Sequence, residues 1–128
     1  MTGGGRKVTA AYEAHERGEF KPLLDLLHPD VVWLGIEGRN EDGTTPCCEN
    51  RSAVISRLAR LYERGRKFRV VEEVGDGQAV AVGIELADPS FPANVTVWKV
   101  FRFDSTGRVI QMQDCVSREE AIGAARSS

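Results

Sequence analysis

The alternation of apolar and polar residues is clearest over residues 95–116, which predict a long antiparallel hairpin. Two β-rich runs flank the polar residues 104–107, and a loop of turn formers that contains glycine is a hairpin signal. Side chains alternate along a strand, and residues opposite each other in a pair point to the same side. With an even number of loop residues, odd positions before the turn therefore share a face with even positions after it.

This rule divides the hairpin into an apolar face and a more polar face. The apolar face is predicted to be the core, and its members are Val95, Val97, Lys99, Phe101, Phe103, Ile110, Met112, Asp114 and Val116. The other face is predicted to point outward, and its members are Thr96, Trp98, Val100, Arg102, Val109, Gln111, Gln113 and Cys115.

Beyond the turn, Lys99 and Asp114 are the charged residues on the apolar face. The pairing rule places them directly or diagonally opposite each other. An unpaired charge in an apolar interior costs on the order of several kcal/mol, so such groups are paired, solvated in a cavity, or both. The pattern therefore predicts a polar hollow inside the fold.

The N-terminal part of the chain predicts two helices and a strand. After a flexible glycine run at residues 3–5, apolar positions recur at helical spacing, and Gly18 can end that helix. The stripe consists of Val8, Ala11, Tyr12 and His15. Pro22 suits the first turn of a short second helix, which residues 28–30 break. Residues 31–36 then predict a strand.

The middle of the chain predicts a loop, a helix and a second hairpin. Residues 38–50 form a turn-rich loop longer than most connections, and we expect a lid or rim over the hollow. Ser52 is the predicted N-cap of the next helix, with Arg57 pointing outward and Gly65 at the end. The inward stripe of this helix consists of Val54, Ile55, Leu58, Leu61 and Tyr62.

Residues 67–74 and 78–86 then predict a hairpin around residues 75–77. The predicted inward residues of this hairpin are Phe68, Val70, Val74, Val80, Val82 and Ile84. Ser117 is the predicted cap of a final helix over residues 118–126. The resulting order is α-α-β-α-β-β-β-β-α, which predicts one α+β domain over residues 1–128 with a strongly curved, mostly antiparallel sheet around the N-terminal helices.

Composition and charge exclude several classes of function. A formal net charge of -2 offers no electrostatic basis for binding nucleic acid. The sequence has no run of about 18 apolar residues and no apolar run of a signal peptide, so we expect a cytoplasmic protein that does not bind membranes. The adjacent Cys47 and Cys48 match neither a disulfide framework nor a zinc site. We expect neither a metal nor another cofactor.

Four stretches in this order resemble the nuclear transport factor 2-like superfamily, specifically its SnoaL-like branch with ketosteroid isomerase and polyketide cyclase relatives. They are YEAHERGEF at residues 12–20, LLHPDVVW at 26–33, NRSAVISRL at 50–58 and VFRFDSTGRVIQMQD at 100–114. The resemblance implies a cone-shaped α+β barrel of the cystatin-like kind, with a deep pocket open at one end. It also implies a homodimer through the outer sheet face, where Trp98, Gln111 and Gln113 would lie.

The departures from individual relatives limit the chemistry that the resemblance implies. Steroid isomerase relatives carry an aspartate base where this chain reads Leu34, Gly35 and Ile36, and a protonated acid where it has Lys99. Limonene epoxide hydrolase relatives need an Asp-Arg-Asp set, of which this chain offers one plausible acid. Polyketide cyclases of the SnoaL type use a late pocket aspartate, which Asp114 could supply.

The candidate catalytic residues are Asp114 as general acid or base, Lys99 as the group that favours its ionised form, and His15 as a proton relay. The candidate ligand-binding residues are Tyr12, Trp33, Phe101, Met112 and Val116. Each has a structural alternative: an ion pair that closes the pocket floor, a core histidine, or core packing.

Two functions remain open on the sequence alone. One is a cofactor-free cyclase, isomerase or dehydratase, and the other is a non-catalytic module that binds or senses an apolar metabolite. A third alternative, an interaction protein that acts through its outer sheet face, predicts a filled pocket.

Overall fold

The computed structural model describes residues 4–36, 45–75 and 77–127 of the chain. Over these residues it contains four helices and six strands. In chain order they are α1 (Gly4–Glu16), α2 (Lys21–Leu26), β1 (Leu27–Gly35), β2 (Thr45–Cys48), α3 (Arg51–Glu63), β3 (Lys67–Val74), β4 (Ala79–Ala87), β5 (Val95–Phe103), β6 (Val109–Cys115) and α4 (Arg118–Arg126).

The strands form one sheet in the order β2-β1-β6-β5-β4-β3. Strands β1 and β6 are parallel, and every other neighbouring pair is antiparallel. The sheet curls into a cone and is not closed, so that β2 and β3 are its edges. The α+β class and the curved, mostly antiparallel sheet are thus confirmed, as an open cone rather than a closed barrel.

Apolar side chains are buried on both faces of the sheet. The larger cluster lies inside the cone, where α1, α2 and α3 pack against the concave face. The smaller cluster lies on the outer face beneath α4, and consists of Ala79, Ala81, Val100, Cys115 and Ala121. Helix α4 therefore covers part of the outer face on which a homodimer contact was expected.

The central hairpin pairs as predicted over most of its length. Lys99 is opposite Asp114, and Phe101 is opposite Met112. A bulge between Arg102 and Phe103 pairs Phe103 with Val109, and Val109 is fully buried in the inner cluster. The prediction that Val109 points outward is wrong because the bulge changes the alternation at that end of the hairpin.

The other end of the hairpin is more open than expected. Val95 and Val116 were predicted to lie on the core face, but they are 44% and 63% exposed. Both residues lie where the two strands begin and end, so few neighbouring residues cover them. Neither belongs to the core.

A second bulge, between Val70 and Glu72, interrupts the pairing of β3 with β4. Phe68 and Val70 belong to the inner cluster as predicted, whereas Val74 packs against the outer one. The prediction of an inward Val74 is therefore wrong. The extra residue at the bulge inverts the side to which the following residues point.

Two helix starts differ from the predictions. Helix α1 already includes Gly4 and Gly5, so these glycines are not a flexible leader. The cap of α3 is Asn50 rather than Ser52, because the Asn50 side chain accepts a hydrogen bond from the Ala53 amide at 2.8 Å. Ser117 caps α4 as predicted. Gly18 and Gly65 follow α1 and α3 with positive φ, which confirms their predicted role.

The segment before α3 also differs from its prediction. Residues 37–44, which include most of the predicted lid, lie outside the described residues. The rest of that predicted loop contains β2, which pairs with β1 through Cys48 opposite Trp33. Strand β1 begins four residues earlier than predicted, at Leu27. In the described part of the chain, the helices are too short or too polar to cross a membrane.

Candidate functional site

The predicted contact between Lys99 and Asp114 is present inside the cone. The two residues are directly paired across β5 and β6, and Lys99 Nζ donates a hydrogen bond to Asp114 Oδ1. The Lys99 side chain is 8% exposed and that of Asp114 is 24% exposed. The ammonium group is therefore largely withdrawn from water, whereas the carboxylate keeps an open side.

Trp33 of β1 completes this cluster. Its Nε1 donates to Asp114 Oδ1 at 2.9 Å, and its ring centroid lies 4.4 Å from Lys99 Nζ. The parallel pairing of β1 with β6 brings Trp33 beside Met112, two residues before Asp114. The indole thus orients the carboxylate through a hydrogen bond and packs against the ammonium through a cation–π contact.

A cavity of about 170 Å³ lies beside the cluster. Its polar and aromatic lining comes from Trp33, Arg57, Arg66, Trp98, Lys99 and Asp114. Leu61, Phe68, Leu86 and Val97 contribute apolar walls. An engineered protein cavity of roughly 150 Å³ holds one benzene molecule, so this cavity has room for about one ring. The predicted hollow is present next to the predicted pair.

The two arginines at the cavity were not predicted as site residues. Arg57 was expected to point outward and is exposed, and its Cζ also lies 5.2 Å from the Trp33 ring centroid at the cavity wall. The sequence signal for it is weak: Arg57 follows the buried Val54 by three residues and precedes the buried Leu61 by four, so it flanks the inward stripe of α3.

Arg66 is held in place from outside the cavity. Its Nε donates to Asp88 Oδ2 at 2.9 Å, and the other Asp88 oxygen accepts from Ser90 Oγ and the Ser90 amide. These hydrogen bonds, from Ser90 first and then from Arg66, hold the pKa of Asp88 well below its usual range. The connection between β4 and β5 thereby fixes one cation at the cavity wall.

Tyr12, Phe101 and Met112 form a buried layer of the inner cluster rather than the cavity lining. The Tyr12 ring lies 6.2 Å from that of Phe101, and its hydroxyl has no hydrogen-bond partner among the described groups. Burial, and to a lesser extent the charge of Asp114, raise the pKa of Tyr12. The hydroxyl is therefore a neutral, buried donor.

The structure does not place His15 or Val116 in the cavity lining. The His15 ring is buried among Phe20, Tyr62 and Phe68, with centroid distances of 5.0, 5.4 and 5.8 Å. Both of its ring nitrogens lack a partner among the described groups, and burial lowers its pKa. His15 is thus a neutral core residue in this structure.

Cys47 and Gly35 lie at the Asp114 side of the site. An idealised Cβ on Gly35 would be 3.9 Å from both Asp114 Oδ2 and Cys47 Sγ. Partial burial, the neighbouring Cys48 and Asp114 raise the pKa of Cys47 to about 11, while Arg57 opposes the shift. The thiol is therefore largely protonated near neutral pH. Within the described ranges, no group of three His, Cys, Asp or Glu side chains is placed to hold a metal ion.

Comparisons with known proteins agree with this architecture. Residues 8–112 match the SnoaL-like domain family. No protein with a curated description matches the chain at a significant level.

Several solved structures share the fold at low sequence identity. A candidate polyketide cyclase from Sinorhizobium meliloti is 16% identical, with a TM-score of 0.66, over 86% of this chain and 94% of the other. An NTF2-like protein of unknown function from Burkholderia pseudomallei is 21% identical, with a TM-score of 0.69, over 98% of each chain. An LEH-like epoxide hydrolase from M. tuberculosis is 20% identical, with a TM-score of 0.64, over 97% of this chain and 90% of the other. The family match over most of its length shows that this chain belongs to the SnoaL-like domain family, and it shares its fold with NTF2-like proteins.

Proposed function

We propose that the protein is a cofactor-free enzyme that moves protons on a small molecule, with Asp114 as its general base. One observation carries this proposal: the Asp114 carboxylate faces a ring-sized cavity while Lys99 and Trp33 both donate to its Oδ1. A base must be held in reach of its substrate, and this arrangement holds it. Cyclisation, isomerisation and dehydration all begin with such a proton transfer.

The proposed reaction uses two side chains of the site. Asp114 removes a proton from a carbon or hydroxyl of the bound substrate, and Lys99 holds the carboxyl group in place through its hydrogen bond to Oδ1. Protonated Asp114 then returns the proton to another substrate atom or to the leaving hydroxide. Tyr12 and His15 have no part in this scheme because neither residue lines the cavity.

The second candidate is a module that binds an apolar metabolite without changing it. Two features favour this alternative: Asp114 is the one carboxylate among the described residues that line the cavity, and Lys99 and Trp33 both donate to the same oxygen of that group. Such an arrangement also describes a structural ion pair that closes the floor of a pocket.

Exchange of hydrogen for deuterium in a retained ligand separates the two functions. Native mass spectrometry of protein purified from its host identifies a bound small molecule, which is then incubated with the protein in D₂O. We expect the wild type to catalyse deuterium uptake at a carbon of the ligand. General-base catalysis typically contributes about 10²–10⁴-fold, so Asp114→Asn should slow the uptake by at least about 100-fold. A ligand recovered without deuterium would instead favour the binding module.

A homodimer in the cytoplasm is part of the same proposal. Helix α4 covers the outer face of β4 and β5, where Arg102 donates to the Ala124 carbonyl and to the predicted contact residues Gln111 and Gln113. The outer face of β1 carries Val32 and Leu34, which are half-buried and pair with these glutamines. We place the dimer contact on this part of the outer face.

A further inference from the structure

The cations and carboxylates around the cavity do not balance within the described residues. Lys99 is paired with Asp114, and Arg66 is paired with Asp88. Arg57 lines the same cavity and has no carboxylate within ion-pair distance in the part of the chain that the structure describes. Among the described residues, the exposed Arg57 is therefore the cation at the cavity with which an anionic ligand can pair.

The position of Arg57 suits recognition of a planar anion. Its guanidinium Cζ lies 5.2 Å from the Trp33 ring centroid, a cation–π contact, and the N–H donors of a guanidinium form a planar fork that matches a carboxylate. The same indole contacts Lys99 Nζ and donates to Asp114, so Trp33 contacts both the arginine and the ion pair. A carboxylate can accept two parallel hydrogen bonds from such a fork.

The size of the cavity limits the body of the ligand. About 170 Å³ accommodates one ring, and Leu61, Leu86 and Val97 offer it apolar contacts. A ligand with a ring in this space and an acidic group at Arg57 would make both apolar contacts with the walls and a hydrogen-bonded ion pair with the arginine. A neutral ligand of equal shape would offer Arg57 no charge-assisted hydrogen bond.

We propose that the cavity selects small cyclic carboxylates, with the carboxylate on Arg57 and the ring against Trp33 and the apolar walls. This inference rests on the proposed function because it uses the same cavity. The inference concerns the charge of the ligand, whereas the proposed function concerns proton transfer. An experiment can therefore contradict one of them without contradicting the other.

Benzoate and benzamide are matched probes for this selection because they share a shape and differ in charge. Titration calorimetry on the full chain should show that benzoate binds at least about tenfold more tightly than benzamide. Arg57→Gln should bring the ratio of the two dissociation constants close to one. Arg60→Gln, which removes an exposed arginine one turn further along α3, should leave the ratio unchanged.

Protection of Cys47 reports where the probe binds. Because Arg57 and Asp114 both act on the Cys47 thiol, a benzoate at Arg57 should slow alkylation of Cys47 by iodoacetamide. For each variant, the alkylation rate without benzoate is divided by the rate with benzoate. A substitution that changes the intrinsic reactivity of the thiol affects both rates equally and so does not change this ratio. We expect protection in the wild type and in Arg60→Gln, and none in Arg57→Gln.

Three results would overturn the selection of carboxylates: equal affinity for both probes, a preference for benzoate that persists in Arg57→Gln, or no saturable binding of benzoate. None of them bears on deuterium exchange, which depends on Asp114. Circular dichroism of the two arginine variants verifies that each retains its helices.

Discussion

Lys99 is the residue on which the candidate site most depends, because its ammonium group is buried and needs a partner. The pairing rule for the central hairpin predicted this contact, since opposed positions on one face are fixed by the alternation of side chains. The roles of Arg57 and Cys47 could not be predicted in the same way. Arg57 only flanks an apolar stripe, and Cys47 lies in a segment without a clear pattern.

A double-mutant cycle on Lys99 and Asp114 tests how strongly the pair is coupled. Asp114→Asn leaves a buried ammonium without a carboxylate and should lower the free energy of unfolding by about 3 kcal/mol. Lys99→Met should cost less, because the Asp114 carboxylate is partly exposed and keeps the hydrogen bond from Trp33. The double variant should be more stable than Asp114→Asn alone, as measured by urea denaturation.

The exposed pair of Arg69 and Glu85 is the matched control for this cycle, because its side chains are 71% and 31% exposed. Removing both charges there should show coupling close to zero. If the effects of Lys99→Met and Asp114→Asn were simply additive, the buried pair would not be an energetic unit.

The pH dependence of stability tests the environment of His15. Burial lowers its pKa in the folded state below the ordinary value of 6.5, so the unfolded chain binds the proton more readily. The contribution of His15 is fully present above about pH 6.5 and is lost as the pH falls through the folded pKa. Each unit of pKa difference corresponds to about 1.4 kcal/mol.

We therefore expect the free energy of unfolding to fall less between about pH 7.5 and pH 5 in His15→Phe than in the wild type. Urea denaturation at both pH values measures the difference. An identical slope in His15→Phe and the wild type would show that the buried ring does not resist protonation.

The elements of the fold follow from local patterns wherever these patterns remain regular. Both hairpins and the inward stripes of α1 and α3 were predicted from spacing alone. The errors at Val74 and Val109 have a common cause, since a one-residue bulge lies between each of them and the regularly paired part of its strand. A bulge is not visible in the regular alternation of apolar and polar residues beside it, so the sequence prediction extended that alternation across the bulge.

The start of α3 offers a direct test of the element boundaries. Asn50→Ala removes the side-chain acceptor for the Ala53 amide and should destabilise the protein by about 1 kcal/mol. Ser52→Ala changes an exposed residue inside the first turn and should have little effect. Thermal or urea denaturation of both variants decides between the observed and the predicted cap. A larger loss in Ser52→Ala than in Asn50→Ala would contradict the observed boundary.

At the scale of the whole molecule, the order of helices and strands was sufficient to predict the curved sheet and its hollow. It did not predict that the sheet stays open with β2 at one edge, because the sequence of β2 lies in a stretch rich in turn-forming residues. Nor did it show that α4 would cover part of the outer face. The alternation pattern identified that face as polar, yet small apolar residues such as Ala81 and Val100 provide a surface for the helix.

The uncovered part of the outer face yields a prediction about assembly. We expect the wild type to sediment as a dimer, and Leu34→Glu to raise the dissociation constant at least about 100-fold because it places a charge in an apolar contact. Val71→Glu is the control, since Val71 is exposed on the edge strand β3. A monomeric wild type, or a Leu34→Glu variant that still dimerises, would exclude this contact.

Gly35 lies at a position where the protein has room for a small side chain beside Asp114. The nearest atoms to an added Cβ are at ordinary van der Waals distances, so a methyl group would fit there without moving the backbone. That methyl group would stand between the thiol of Cys47 and the carboxylate of Asp114. A lineage could thus alter what reaches Oδ2 of Asp114 by enlarging one residue, while the architecture around it is inherited intact.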